Sequence, residues 1–290
     1  MSPTGEVSEA QSLVSATCWY LERCETFEAE KPYIFTFDVS GSGIETTNHR
    51  YSEHNLAMCD VRGVEGNLKL DSHGFAFASH ATALSSPDFD SNETVRQKYY
   101  PEIDAMMREL FPDAVKIHIF THLRRRRPNG FLGEAKDQVI AAPIPFAHAD
   151  FTPHGARVRL SSLLEEETAL QCCRFEIINV WRVTDGPNND WPLAVCGHQT
   201  VNPSDIETTD VIHDTYVGES VRAYYNPNHR WYYLSNQQVD EVVIFCNTDS
   251  RGMEFPFALH SAFRTSAGNA STRGRESIEV RVACFFSTEG

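Results

Sequence analysis

His148-Ala149-Asp150 is the first stretch of the chain that could carry chemistry: an imidazole and a carboxylate two positions apart, which on an extended strand project from the same side. A second histidine from elsewhere would complete a two-histidine, one-carboxylate facial triad. That is the donor set of non-haem iron(II) oxygenases, and it leaves three positions for oxygen and a chelating cosubstrate. Alone the pair is a weak signal, because a chain with twelve histidines is expected to hold such a spacing by chance, and the competing reading is a surface pair on an edge strand. The second half comes from His260, in the strand-like run 257–263. A Gly/Ser/Asn-rich turn over 266–274 follows it, and the chain returns through Arg275-Glu276-Ser277-Ile278-Glu279-Val280-Arg281-Val282. On that return strand Arg275 and Ser277 share a face, so a guanidinium fork and a hydroxyl project together, which is what gripping the far carboxylate of 2-oxoglutarate requires. Arg281, on the same parity, is the competing anchor; proximity to the turn and to Ser277 favours Arg275. His118, His122, His154, His198, His213 and His229 read as structural or exposed.

The elements that must position these groups are mostly strands. Short apolar runs at 115–122, 138–142, 147–151, 175–182, 193–198, 221–225, 231–234, 241–246, 255–263 and 277–286 are separated by turn signals such as Asp185-Gly186-Pro187-Asn188 and Asn226-Pro227-Asn228. With one helix interposed at 161–171, this predicts a mainly β fold with flanking helices and a jelly-roll core over 115–290. Residues 1–114 read as an N-terminal extension packing on that core within a single domain spanning 1–290. Val95, Tyr99, Ile103, Met106 and Leu110 recur at three- and four-residue spacing, predicting a helix over 91–110 that Phe111-Pro112 ends.

The chain has 290 residues and a formal charge of −15, which argues against nucleic acid or an anionic membrane as partner. Arg124 to Arg127 therefore read as a solvated strand end, and Glu165 to Glu167 as the wet face or the first turns of a helix. The eight cysteines show neither a CxxC pair nor a disulfide-like density, the first residues lack the features of a secretion signal, and no apolar run is long enough to span a bilayer. These features predict a soluble, cytoplasmic protein. A homodimer is the expectation from oligomer frequencies alone.

Several segments, in order, resemble the CmcJ/NvfI family of non-haem iron oxygenases, which includes AsaB-type hydroxylase/desaturases and gibberellin desaturase-like proteins. They are Phe146-Ala147-His148-Ala149-Asp150-Phe151-Thr152, Asn179-Val180-Trp181-Arg182, Pro192-Leu193-Ala194-Val195, His229-Arg230-Trp231-Tyr232-Tyr233, Asp240-Glu241-Val242 with Asp249-Ser250, and residues 275–281. The resemblance implies a double-stranded β-helix, iron(II) held by His148, Asp150 and His260, 2-oxoglutarate held by Arg275 and Ser277, and O2. It also implies oxidation of a natural product such as a terpenoid, meroterpenoid or polyketide, by hydroxylation, desaturation or endoperoxide formation. Where the family carries an acid after Pro-Leu-Ala-Val-Cys this chain has Gly197-His198, so no role is carried over to that loop. Phe131, Asn179 and Trp181 are candidate substrate-pocket positions, although core packing is the commoner use of such aromatics. Two rival classes remain on the sequence: a cupin-type metalloenzyme that has no need of Arg275, and a non-catalytic jelly-roll binding module.

Overall fold

The computed structural model describes residues 12–127, 141–164, 173–265 and 274–287. Among them two curled sheets face each other in a double-stranded β-helix. The smaller sheet is antiparallel throughout, in the order Phe75–Ser79, Glu241–Asp249, Arg174–Val183, Glu276–Phe286, Ala114–Arg126. The larger has ten strands, and at its centre Leu193–Cys196, His260–Ala262, His148–Ala149 and Val217–Ala223 lie side by side.

Alternation along the strands of the small sheet divides labour between stability and chemistry. Ile178, Val180, Val242, Ile244, Ile278, Val280 and Val282 point outward and are buried under a helical segment through Val95, Tyr99, Ile103 and Met107. Each such side chain removed from water stabilises the fold by about 1.5–3 kcal/mol. Asn179, Trp181, Ser277, Glu279 and Arg281 have the opposite parity and project between the sheets. Besides a register shift at the sheet's end, where Phe285 and Phe286 pair with Lys116 and Ala114, two bulges interrupt the alternation. In one, Phe120 is the extra residue, since Arg281 and Val282 pair with Thr121 and Ile119. In the other, Asn247 is extra, since Cys246 and Thr248 pair with Ile178 and Ile177.

The helix expected over 91–110 is present as Asn92–Thr94, a π-helical turn Val95–Tyr99, and Tyr100–Leu110. Pro101 has no N–H to give the carbonyl one turn back, and the wider turn rotates the buried face, so that Met107 is buried instead of Met106. Residues within 1–114, expected to pack on the core, supply strands to both sheets. Leu13–Leu21, Tyr33–Phe35 and Tyr51–Asp60 are strands of the large sheet and Phe75–Ser79 of the small one, because their backbone groups complete ladders that would otherwise end in open edges. A helix runs Pro153–Leu163, capped by Thr152 Oγ1 accepting from Gly155 N at 3.0 Å, and covers the start of the helix expected over 161–171, of which residues 165–171 lie outside the described residues. Gly155 is required there: a Cβ would stand 2.1 Å from the Glu219 carbonyl oxygen. The acidic triplet 165–167, Phe131 and most of the candidate strand 138–142 lie outside the described residues. The arginine run is not a solvated strand end. Arg124 pairs with Asp90, Arg126 with Glu276 and Arg127 with Asp190, and Arg125 turns inward. The seven described cysteines are free.

Candidate active site

His148 lies on the inner face of the large sheet between two cross-strand partners, His260 on one side and Arg222 on the other. The alternate residues Ala147 and Ala149 sink into the apolar layer behind the sheet, with Tyr20 and Trp231. His148 Nδ1 donates to the Phe146 carbonyl at 2.9 Å and His260 Nδ1 to the Ala258 carbonyl at 3.4 Å. These bonds leave each Nε2 as a lone pair, and both point at Asp150 Oδ1, at 3.7 Å and 3.9 Å. The three candidate ligand atoms lie within 4.8 Å of one another, and among the described residues no donor bonds to any of them.

Asp150 is fixed from its other side. Its Oδ2 accepts from Arg281 Nη2 at 2.8 Å and from Asn179 Nδ2 at 3.0 Å, and its backbone N–H donates to the Asn247 side chain at 2.9 Å. Burial would raise the Asp150 carboxyl, but Arg281, His260 and His148 outweigh it and hold the group well below the usual carboxylate range. Burial, reinforced for His148 by the neighbouring His260, keeps both imidazoles below their usual value and so neutral. Two neutral imidazoles and a carboxylate, each oriented by a bond to its remote atom, form a donor set that fits a divalent cation. Asn179, expected at a substrate pocket, is instead wholly buried and holds Asp150.

On the His260 side a narrow cavity runs between the sheets, lined by His148, His260, Trp181, Leu193, Arg275 and Glu279. Arg275 is 2% exposed, and burial pushes its guanidinium down to about 9, still cationic at neutral pH. Nε donates to Ser277 Oγ at 3.1 Å and Nη1 to the Trp191 carbonyl at 2.7 Å, while the fork lies 5.1 Å over the Trp181 ring. Trp191 presents that carbonyl from a left-handed backbone (φ 46°), a conformation that costs a bulky residue energy and so marks a constrained position. No carboxylate side chain pairs with Arg275 among the described residues, so this buried cation lacks an anion. Trp181 thus walls the cavity that ends at Arg275.

On the other face of His148 a second cavity, of about 320 Å³, is walled by Phe120, Ile144, Phe146, Phe151 and Tyr216 and edged by Arg125, Arg159 and Arg222. His148 belongs to both cavities. A wider groove of about 620 Å³, lined by Leu70, Phe111 and Phe255, contains none of the candidate ligands. The sequence reading brought out His148, Asp150, His260, Arg275, Ser277 and Arg281. It gave no role to Asn247, Glu279, Arg125 or Arg222: the parity of Glu279 with Ser277 was available, whereas nothing in the sequence pairs Arg222 with His148.

Residues 19–285 match a family described as an oxidoreductase/YMDC permease-like domain. No helix among the described residues is long and apolar enough to cross a membrane. The chain is 31% identical over 278 residues to the hydroxylase/desaturase efuI of Hormonema carpetanum, covering 87% of this chain and 90% of that protein. It is 27% identical over 252 residues to the Fe(II)/2-oxoglutarate-dependent dioxygenase nvfI of Aspergillus novofumigatus, covering 84% and 87%. A solved structure of the iron and alpha-ketoglutarate-dependent endoperoxidase NvfI superposes with a TM-score of 0.81 at 25% identity, over 95% of this chain and 99% of that one.

Proposed function

Since the chain belongs to the CmcJ/NvfI family of non-haem iron oxygenases and is an iron(II)- and 2-oxoglutarate-dependent dioxygenase, we propose that His148, Asp150 and His260 hold the metal and that Arg275 and Ser277 bind the cosubstrate. Its substrates are a small molecule and O2, and we place the small molecule in the cavity walled by Phe120, Phe146 and Phe151. The reaction is oxidation of an unactivated C–H bond of a natural product, as in relatives named hydroxylase/desaturase, dioxygenase and endoperoxidase. The observation that carries the residue assignments is the convergence of two Nε2 lone pairs on Asp150 Oδ1, with an anion-free Arg275 at the end of the adjoining cavity.

When bound, iron(II) and 2-oxoglutarate supply the oxidising power for C–H attack, the cosubstrate ending as succinate and carbon dioxide. The chain's residues position and exclude. Phe146 and Ala258 carbonyls hold the imidazole protons on Nδ1, so the ligating nitrogens need lose no proton on metal binding. Arg281 and Asn179 occupy Asp150 Oδ2 and so direct Oδ1 to the metal position. Ser277 Oγ accepts from Arg275 Nε and keeps its own proton free for a carboxylate, while Trp181 and Leu193 keep water from the charged fork. Hydroxylation, desaturation and endoperoxide formation differ in the fate of the substrate radical, which the aromatic wall of the larger cavity controls by positioning.

Anaerobic titration of iron(II) and 2-oxoglutarate into the apoprotein, followed by the visible charge-transfer absorption of the chelate, tests the assignment. The wild type should show the band and His148→Ala should not. Arg275→Ala should need about 100-fold more 2-oxoglutarate, from loss of two charge-assisted hydrogen bonds. Absence of a wild-type band, or an unchanged 2-oxoglutarate requirement in Arg275→Ala, refutes it.

A further inference from the structure

The larger cavity is richer in positive charge than a chain of net −15 leads one to expect. Its two acids are already matched: Asp150 by Arg281, and Glu219 by Lys31 Nζ at 2.5 Å together with the Thr152 hydroxyl. Arg125, Arg159 and Arg222 remain. Arg125 gives one hydrogen bond, to the Ala142 carbonyl at 2.8 Å, and Arg159 lies 5.6 Å over the Tyr216 ring.

Arg222 is the informative one. It is 6% exposed, stands across the ladder from His148, and its fork lies 5.0 Å over the Phe146 ring. Its Nε donates to Tyr51 Oη at 3.2 Å, and Nη1 to Ser220 Oγ and the Val221 carbonyl, both at 3.0 Å. None of these acceptors is charged, and Nη2 bonds to nothing among the described residues. The acid opposite it on the neighbouring strand, Glu207, is turned away to Tyr224 Oη at 2.7 Å. A buried guanidinium is normally matched by an anion, because desolvating it unpaired is costly. Arg281 meets Asp150, and Arg174 meets Asp249 at 2.9 Å. Arg182, buried without an acid, is bonded to the Val239 carbonyl and to His80 and lines neither cavity at His148, whereas Arg222 does. Aromatic walls beside an unmatched guanidinium describe a ligand with an apolar body and one anionic head.

We propose that the substrate is an apolar molecule bearing a carboxylate or comparable acidic group, and that Arg222, cross-strand partner of His148, binds that group and determines specificity. This rests on the oxygenase reading of the site. One other molecule brings a carboxylate to the same place, namely 2-oxoglutarate itself, so the test separates the two sources.

The probes are 8-anilinonaphthalene-1-sulfonate and its uncharged analogue N-phenyl-1-naphthylamine, titrated by fluorescence into full-length protein held anaerobically with saturating iron(II) and 2-oxoglutarate. The wild type should prefer the sulfonate by at least about tenfold, as expected for a buried charge-assisted contact. Arg222→Gln should lose that preference while binding the neutral probe as before, and Arg222→Lys should retain part of it. Arg222→Met, which keeps the length of the apolar stem, replaces the glutamine variant if that one does not fold. An undiscriminating wild type, failure of the sulfonate to bind, or a preference that survives in Arg222→Gln overturns the proposal. It is also overturned if 2-oxoglutarate displaces the sulfonate and Arg222→Gln raises the 2-oxoglutarate requirement by a matching factor, since the guanidinium then serves the cosubstrate. Failure of the charge-transfer band to form in the wild type would sink the oxygenase reading instead, and is scored separately from probe binding.

Discussion

Replacing Arg281 by Gln should destabilise the metal-free protein far more than the metal-loaded one. The guanidinium lies 2.8 Å from Asp150 Oδ2 and 3.2 Å from Glu279 Oε1, with side-chain exposures of 15%, 10% and 6%. At an effective dielectric constant of about 20 a contact of this length is worth roughly 6 kcal/mol of Coulomb attraction, much of it offset by desolvation. Breaking a buried pair typically costs about 3–5 kcal/mol, because the surviving carboxylate is left unmatched. A divalent cation at Oδ1 would supply the missing counter-charge to Asp150, though not to Glu279, so about half of the deficit should vanish on loading. Urea unfolding of wild type and Arg281→Gln, each with and without manganese(II) as a redox-stable stand-in, measures the cycle. Equivalently, metal should stabilise the variant by about 1.5–2.5 kcal/mol more than the wild type. Equal deficits with and without metal would show that Asp150 does not meet the cation. A metal-free deficit under about 1 kcal/mol would refute the buried-pair argument itself.

Three further outcomes follow from the same geometry. Ser277→Ala should raise the 2-oxoglutarate concentration for half-formation of the charge-transfer band about tenfold without weakening metal binding, from loss of one hydrogen bond to a charged group. Asp249 lies under Arg174 and Arg251; burial would raise its carboxyl, but these partners hold it below the ordinary 3.8, so its contribution is present above that value and lost as pH falls through the lower, folded-state value. Asp249→Asn should accordingly cost about 1–2 kcal/mol at pH 7 by urea unfolding, with the gap to wild type closing below pH 3.8. Gly155→Ala drives a methyl against the Glu219 carbonyl and should cost about 1–3 kcal/mol; an unchanged unfolding midpoint would show that the helix can shift freely.

The site was legible where local spacing is enough and illegible where the ladder changes phase. His148 and Asp150 share a face by simple alternation, as do Arg275, Ser277, Glu279 and Arg281, and these residues do converge between the sheets. Arg125 fails the same test for a physical reason. Ile117 and Ile119 pack outward under the helix, so unbroken alternation would send Arg125 outward too. The bulge at Phe120 inserts one residue, turns Thr121 and Arg125 to the inner face, and leaves Arg124 and Arg126 outside beside Asp90 and Glu276. Asn247 was missed likewise: it is the extra residue of the second bulge, with its side chain aimed at Asp150 N. Of the N-terminal strands, Tyr33–Phe35 is readable as a strand-like run, whereas Tyr51–Asp60 was missed because Tyr51-Ser52-Glu53-His54 is polar and half-exposed, and acquires strand structure from its ladder partners more than from its own burial.

The register of the large sheet also limits where on its substrate this enzyme can act. His148 and Arg222 are paired across one ladder step, so their backbones lie about 5 Å apart and their side chains leave the sheet in parallel. The His148 Nε2 that faces the candidate metal position and the fork of Arg222 therefore lie on neighbouring walls of one cavity of about 320 Å³. An acid held at Arg222 cannot present a distant carbon to the metal without folding back on itself. With bonds of about 1.5 Å, the oxidised carbon should stand roughly three to five bonds from the acidic group. Positional analysis of products formed from deuterium-labelled acids of increasing chain length measures this directly. Oxidation held at a fixed distance from the acid as the chain grows is the expected result; oxidation that keeps its distance from the far end would mean that the apolar terminus sets the register, not Arg222.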